Sequence, residues 1–185
     1  MEVRALGLGV LEVIPRRHSD ERGFLAETWQ RMRFAAAGIE EDWVQDNHSY
    51  SIDKNILRGL HLQIGSSTQA KLVRVLRGSV LDVAVDLRRE SGSFGKWVSC
   101  KLSSVSFNQI YIPPGFAHGF LTLEPSVEVL YKVSAPYQPE TERVVAWNDP
   151  DLAIDWELSD GEFPLLSAKD SQAPRLAVLA ARGDI

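Results

Sequence analysis

Several residues of this chain have side chains able to move protons or hold anions. The stretch Arg58-Gly59-Leu60-His61-Leu62-Gln63 sets a guanidinium, an imidazole and an amide within strand-like sequence. Residues two apart on a strand share a face. His61 and Gln63 should therefore point with Gly59, and Arg58, Leu60 and Leu62 the other way, unless a bulge re-aims one of them. A glycine beside an imidazole suggests open space and a cavity wall; a packed core histidine is the ordinary alternative. His118 follows the turn Pro113-Pro114-Gly115, Lys71 opens a valine-rich run, and Tyr131 alternates with valines. Taken singly, these read as a packed histidine, a solvated strand lysine and a core tyrosine with a bonded hydroxyl.

The elements that must position these groups are mostly strands. Residues 3–14 read as strand pieces, Asp20 to Gly23 as a turn, and Phe24 to Glu27 as a strand. Thr28 to Ala37 has a helical pattern, with Thr28 as cap and Gly38 where the helix stops. Val44 to Ser51 is polar and loop-like, and residues 64–70 form a Gly/Ser/Thr loop. From Lys71 the period-two alternation is clear: Leu81, Val83, Val85 and Leu87 interleave with Asp82, Ala84, Asp86 and Arg88. Asp82 and Asp86 thus share a face, either buttressing a site or meeting solvent. Further strands are expected at Trp97 to Leu102, Gln109 to Ile112, Phe116 to Leu123 and Val127 to Val133, with a loop-rich tail from 134 to 172 and a short helix from Arg175 to Ala181. Short strands divided by Gly/Pro turns argue for an antiparallel sandwich or barrel.

The bulk composition narrows the function. The 185 residues read as one domain, 1–185, with N-terminal strands and a C-terminal extension packed on it. A net charge of -5 provides no basic field for nucleic acid or an anionic membrane, so an anionic substrate needs a local cluster of cations. No run approaches the length of a membrane span. Cys100 is the sole cysteine, which excludes a disulfide framework and fits a cytoplasmic setting.

Pro113-Pro114-Gly115-Phe116-Ala117-His118 resembles the second signature of the cupins, which are small jelly-roll barrels. The first cupin signature has two histidines, a glutamate and a glycine. Here His61 and Gly78 match, but Gln63 stands for the second histidine and Lys71 for the glutamate. A lysine ammonium repels a cation and glutamine is a poor ligand, so no metal is expected. A base and a cation in a pocket instead suit proton transfer on a substrate that develops negative charge. The likeness sharpens with Asp20-Glu21-Arg22-Gly23-Phe24 and Glu27, Gln45-Asp46-Asn47-His48-Ser49, Leu57 to Gln63, Lys71-Leu72-Val73-Arg74, Asp82 to Asp86 and Ile112 to Phe120. It continues through Leu130-Tyr131-Lys132, Trp147-Asn148-Asp149 and Leu166 to Asp170. In this order the motifs resemble those of the dTDP-4-dehydrorhamnose 3,5-epimerases.

That resemblance implies an all-β, cupin-type antiparallel jelly-roll barrel or sandwich with a few short peripheral helices. It also implies epimerisation at the carbons flanking a ketone of a dTDP-4-keto-6-deoxyhexose, without a cofactor. His61 matches the base, Asp170 its carboxylate partner, Tyr131 the proton donor, and Lys71 the group that stabilises the enolate oxygen. Arg22, Glu27, Gln45, Asp46, Asn47, Arg58, His118, Glu142 and Lys169 fall on substrate-binding positions, and Tyr137 on that of the aromatic that stacks on thymine. The expected assembly is a homodimer exchanging N-terminal strands, with Arg22 and Glu27 serving the partner's pocket. The alternatives are an epimerase acting at C3 or C5 only, and a metal-using or sugar-binding cupin.

Overall fold

The computed structural model describes residues 1–185. The first sheet has six strands: β1 (Glu2–Gly7), β2 (Val10–Ile14), β5 (Gln45–Ser51), β7 (Lys71–Arg77), β10 (Gln109–Ile112) and β12 (Val127–Val133), in the spatial order β1-β2-β10-β7-β12-β5. Five strands form the second: β6 (Leu57–Gln63), β8 (Ser79–Asp86), β9 (Trp97–Ser103), β11 (Phe116–Thr122) and β13 (Glu142–Val144), in the order β13-β6-β11-β8-β9. A separate hairpin joins β3 (Arg17–Asp20) to β4 (Gly23–Ala26). Three short helices complete the chain: α1 (Arg31–Ala35), α2 (Ala168–Ser171) and α3 (Leu176–Arg182). All pairings within the sheets are antiparallel, as expected for a jelly roll of the cupin type.

Three apolar layers hold this arrangement. Between the sheets, Val10, Val73, Val75, Ile110 and Ile112 meet Val80, Ala84, Phe116 and Phe120. The outer face of the five-stranded sheet is buried too: Leu60, Leu62, Leu81, Val83 and Val85 lie under Val145, Leu152, Trp156, Leu176 and Leu179 from the C-terminal segment. On the outer face of the six-stranded sheet, Leu72, Tyr111 and Val13 are covered by Phe34 and Ile39. Burying apolar surface supplies most of the favourable free energy of folding, so the tail is part of the structure's stability.

The inter-sheet layer decides between the two readings of Asp82 and Asp86 and rules out the exposed one. Both are fully buried, because they share the inward face of β8 with Val80 and Ala84, against the six-stranded sheet. Asp86 accepts from Arg88, Ser91 and Ser93, which satisfies its carboxylate. The polar stretch expected to be a loop at 44–51 is instead β5, an edge strand paired along its length with β12. Its side chains alternate between half-buried and exposed, and they are polar on both faces, so the hydrophobic pattern was silent. The helix expected from Thr28 starts later. Gln30 is its cap, accepting from the Arg33 backbone N–H at 2.7 Å, while the Thr28 carbonyl accepts from Gln109 at 2.8 Å. Arg17–Asp20 and Glu142–Val144 are strands that sequence periodicity did not show.

The expectation of open space beside Gly59 is overturned. A Cβ there would sit 2.5 Å from the Gly119 Cα and 2.9 Å from the His118 carbonyl. The glycine lets two strands touch, and its φ of +135° is a conformation side-chain-bearing residues rarely adopt. Pairing there shifts register: His61 faces His118 but Arg58 faces Phe120, three steps on β6 against two on β11. This bulge turns Arg58 toward the same side as His61, whereas strict alternation had it opposed. Gly59→Ala is therefore expected to cost about 2–4 kcal/mol in urea unfolding. Gly38→Ala, with φ of +82° and nothing within 4 Å, should cost only about 1 kcal/mol. Equal losses in the two variants would show that close strand contact does not limit the site.

Candidate active site

Between the sheets lies a cavity of about 520 Å³. The five-stranded sheet lines it with Arg58, His61, His118 and Phe120, and the six-stranded sheet with Ser49, Lys71 and Tyr131. The segment before and through α2 closes it with Leu165, Leu166, Ser167, Lys169 and Asp170. An adjoining recess of about 180 Å³ shares His61, Lys71 and Tyr131 and adds Gln45, Asn47, Gln63, Tyr137 and Glu142.

Local folding places the carboxylate against the imidazole. Leu165 is tethered to the start of β6: its N–H donates to the Asn55 carbonyl at 2.8 Å and its carbonyl accepts from Leu57 at 3.0 Å. Ser167 then caps α2, its hydroxyl accepting from the Asp170 N–H at 3.1 Å. Asp170 ends buried with Oδ1 2.6 Å from His61 Nε2. Burial pushes the Asp170 carboxyl up, but the hydrogen bond and charge of His61, with help from Ser167 and Lys169, outweigh it and hold it below the usual carboxylate range. An ionised carboxylate only accepts, so His61 Nε2 carries the proton and Nδ1 is left as a free base.

Across the cavity, the Lys71 ammonium donates to the His61 carbonyl at 3.2 Å. Burial pushes its pKa down from 10.5 to about 8, against the opposing pull of Asp82 and Glu142. At neutral pH it remains mostly charged. Tyr131 is the reverse case: burial raises its phenol, which keeps the proton it could donate. His118 lies opposite His61 on β11, with Nε2 2.9 Å from Asp82 Oδ2. Burial depresses His118 more than Asp82 restores it, so this second imidazole stays neutral.

In the recess, Lys169 reaches both Glu142 oxygens at 2.9 Å, and the Tyr137 hydroxyl donates to Glu142 at 3.0 Å. Gln45 bridges Asn47 and the Tyr137 N–H. Gln63 holds the loop before β13, accepting from the Gln138 N–H at 2.8 Å and the Thr141 hydroxyl at 3.0 Å. The amide at a position of the cupin ligand set thus has a structural task.

Eleven of the expected site residues come together here; Arg22, Glu27 and Asp46 do not reach this cavity. Arg22 pairs with Asp20 on the exposed β3–β4 hairpin, Glu27 with Arg33 beside it, and Asp46 with Lys132 on the outer side of β5. Sequence reasoning missed Ser49, Leu165 and Leu166 as contributors, and of its two readings of Asp82 the bond to His118 selects support of the site.

Comparison with known proteins gives the same answer along almost the whole chain. The family description dTDP-4-dehydrorhamnose 3,5-epimerase matches residues 8–178. A dTDP-4-dehydrorhamnose 3,5-epimerase of Pseudomonas aeruginosa is 48% identical over 95% of this chain and 97% of its own. The structure of the Mycobacterium tuberculosis rmlC epimerase superposes with a TM-score of 0.94 at 41% identity, covering 100% of this chain and 93% of that one. A Legionella pneumophila dTDP-6-deoxy-D-glucose-3,5-epimerase, solved with dTDP-4-keto-L-rhamnose, gives 0.87 at 45% identity over 94% and 90% of the two chains. By sequence and by fold, this chain belongs to the dTDP-4-dehydrorhamnose 3,5-epimerase family.

Proposed function

We propose that this protein inverts C3 and C5 of a dTDP-linked 4-keto-6-deoxyhexose by proton abstraction and return, as a step toward dTDP-L-rhamnose. The observation that carries this reading is the 2.6 Å bond from buried Asp170 to His61, opening onto a cavity shared with Lys71 and Tyr131. The C–H bonds at C3 and C5 are acidified by the C4 ketone between them. His61 Nδ1 takes a proton from one face, and Asp170 stabilises the imidazolium that forms. The electron pair left behind moves onto the ketone oxygen, where the Lys71 ammonium meets the developing charge. Tyr131 returns a proton to the opposite face. Neutral His118, with Nε2 committed to Asp82, can accept from a sugar hydroxyl at Nδ1.

The remaining residues bind. Arg58 faces the diphosphate, because a guanidinium's forked donors suit phosphate oxygens. Tyr137 offers a half-exposed ring for the thymine, with Gln45, Asn47, Glu142 and Lys169 around it. Arg22, Glu27 and Asp46 act from outside this cavity. The exposed hairpin that carries or adjoins the first two supports their serving the pocket of a second copy in a homodimer. No metal enters this scheme: Lys71 and Gln63 stand where ligands would be needed. The chain works as one domain. No helix is long and apolar enough to cross a membrane, and the lone cysteine fits a cytoplasmic setting.

Proton NMR in deuterated water tests the reaction. Label is expected at both C3 and C5; label at one carbon would make this a single-site epimerase, and none would leave a binding protein. His61→Asn should lower exchange at both carbons by about 10³-fold, and Asp170→Asn by about 10²-fold or more. Tyr131→Phe should separate the steps: exchange continues while the inverted product falls about 10²-fold. Exchange lost in parallel with product would remove Tyr131 from its assigned role.

The pH dependence follows from Lys71. Its ammonium is the useful form and is lost as pH rises through about 8. The rate constant kcat/KM should fall on the alkaline side with an apparent pKa near that value. Lys71→Gln should lower the plateau and abolish this limb; an unchanged limb would assign it to another group.

A further inference from the structure

The inward face of β5 reads Gln45, Asn47, Ser49 and Ser51, four polar side chains two apart along one strand. Three of them are engaged. Gln45 bonds Asn47, and Ser51 accepts from Arg58 Nε at 3.3 Å. Ser49 lines the main cavity, yet its hydroxyl is buried and has no protein partner. An unmade hydrogen bond on a buried hydroxyl costs free energy, so such a group in a binding cavity calls for a partner from the ligand. No protein hydrogen bond holds its rotamer, and a turn about one torsion swings the hydroxyl without breaking any contact of that kind.

The neighbourhood names the ligand chemistry. Arg58 reaches across from β6 to this strand, its Nη2 donating to the Tyr50 carbonyl at 3.0 Å, one residue from Ser49. The guanidinium is thereby held beside β5 with donor capacity left over, since Arg has five N–H groups. Resting on the reading of Arg58 as the diphosphate anchor, we propose that the Ser49 hydroxyl is a further anchoring group. It donates to a phosphate oxygen of the nucleoside diphosphate that Arg58 holds.

The test compares the wild type with Ser49→Ala by calorimetric titration of dTDP, inorganic pyrophosphate and thymidine, alongside thermal unfolding of the ligand-free protein. Alanine removes an unpaired hydroxyl, so the ligand-free variant should unfold at the wild-type temperature or above. The variant should bind dTDP and pyrophosphate roughly tenfold more weakly, and thymidine unchanged, as expected for one lost bond to a charged group. Affinity for dTDP within twofold of wild type would overturn the assignment, as would an equal loss for thymidine. So would a marked drop in unfolding temperature without ligand, which would make Ser49 a structural residue. A wild type that binds dTDP alongside an unaffected variant refutes Ser49 alone; a wild type that binds no dTDP refutes the epimerase reading with it.

Discussion

A carboxylate as buried as that of Asp170 stays ionised only with a strong partner, and here the partner is the His61 imidazole. That mutual requirement sets the state of both groups. The ion needs a donor, so the ring proton sits on Nε2; the ring proton sits there, so Nδ1 is free to act as a base. The bond joins residues 109 positions apart, one on β6 and the other on α2. Everything that fixes β6 against α2 therefore acts on the base, including the backbone bonds of Leu165 to Asn55 and Leu57 and the Ser167 cap.

The same reasoning explains why the five-stranded sheet is covered on both faces. Its inner face must present polar and charged groups to a substrate, and those groups weaken the inter-sheet core. The outer face compensates by burying Leu60, Leu62, Leu81, Val83 and Val85 under Trp156, Leu176 and Leu179. The site can thus be polar without the barrel losing its support. The Gly59–Gly119 contact completes this geometry by drawing β6 onto β11 and holding the two imidazoles opposite each other.

Charge is apportioned by depth. The Lys71 ammonium is buried in the barrel, with one carbonyl acceptor and the nearby fields of Asp82 and Glu142. The Lys169 ammonium is half-exposed and paired with Glu142. The first is poised for charge that appears during reaction, because low surrounding polarity strengthens its field. The second is already neutralised and suits binding. The two His–Asp pairs divide in a similar way. His61 is partly open to the cavity, whereas His118 and Asp82 are buried together and the imidazole is kept neutral.

Read alone, the sequence established the strands from Lys71 to Val133, because apolar alternation at period two is a local property of a sheet. It also established the residue types of the site, since base, ammonium, phenol and carboxylate stand in recognisable motifs. It missed β5, whose polar residues carry no hydrophobic pattern, and it left Asp82 and Asp86 undecided between a site and solvent, because their burial depends on a second sheet packing across the barrel. Strict alternation turned Arg58 away from His61; the bulge opposite Gly119 turned it back. Only the tertiary structure could decide that Asp170 reaches His61, that Gln63 clamps a loop, and that Arg22 and Glu27 lie outside their own chain's cavity. The reason is physical: periodicity records which way a side chain leaves its own strand, whereas hydrogen-bond partners and burial are set by whichever remote segments the packing brings across.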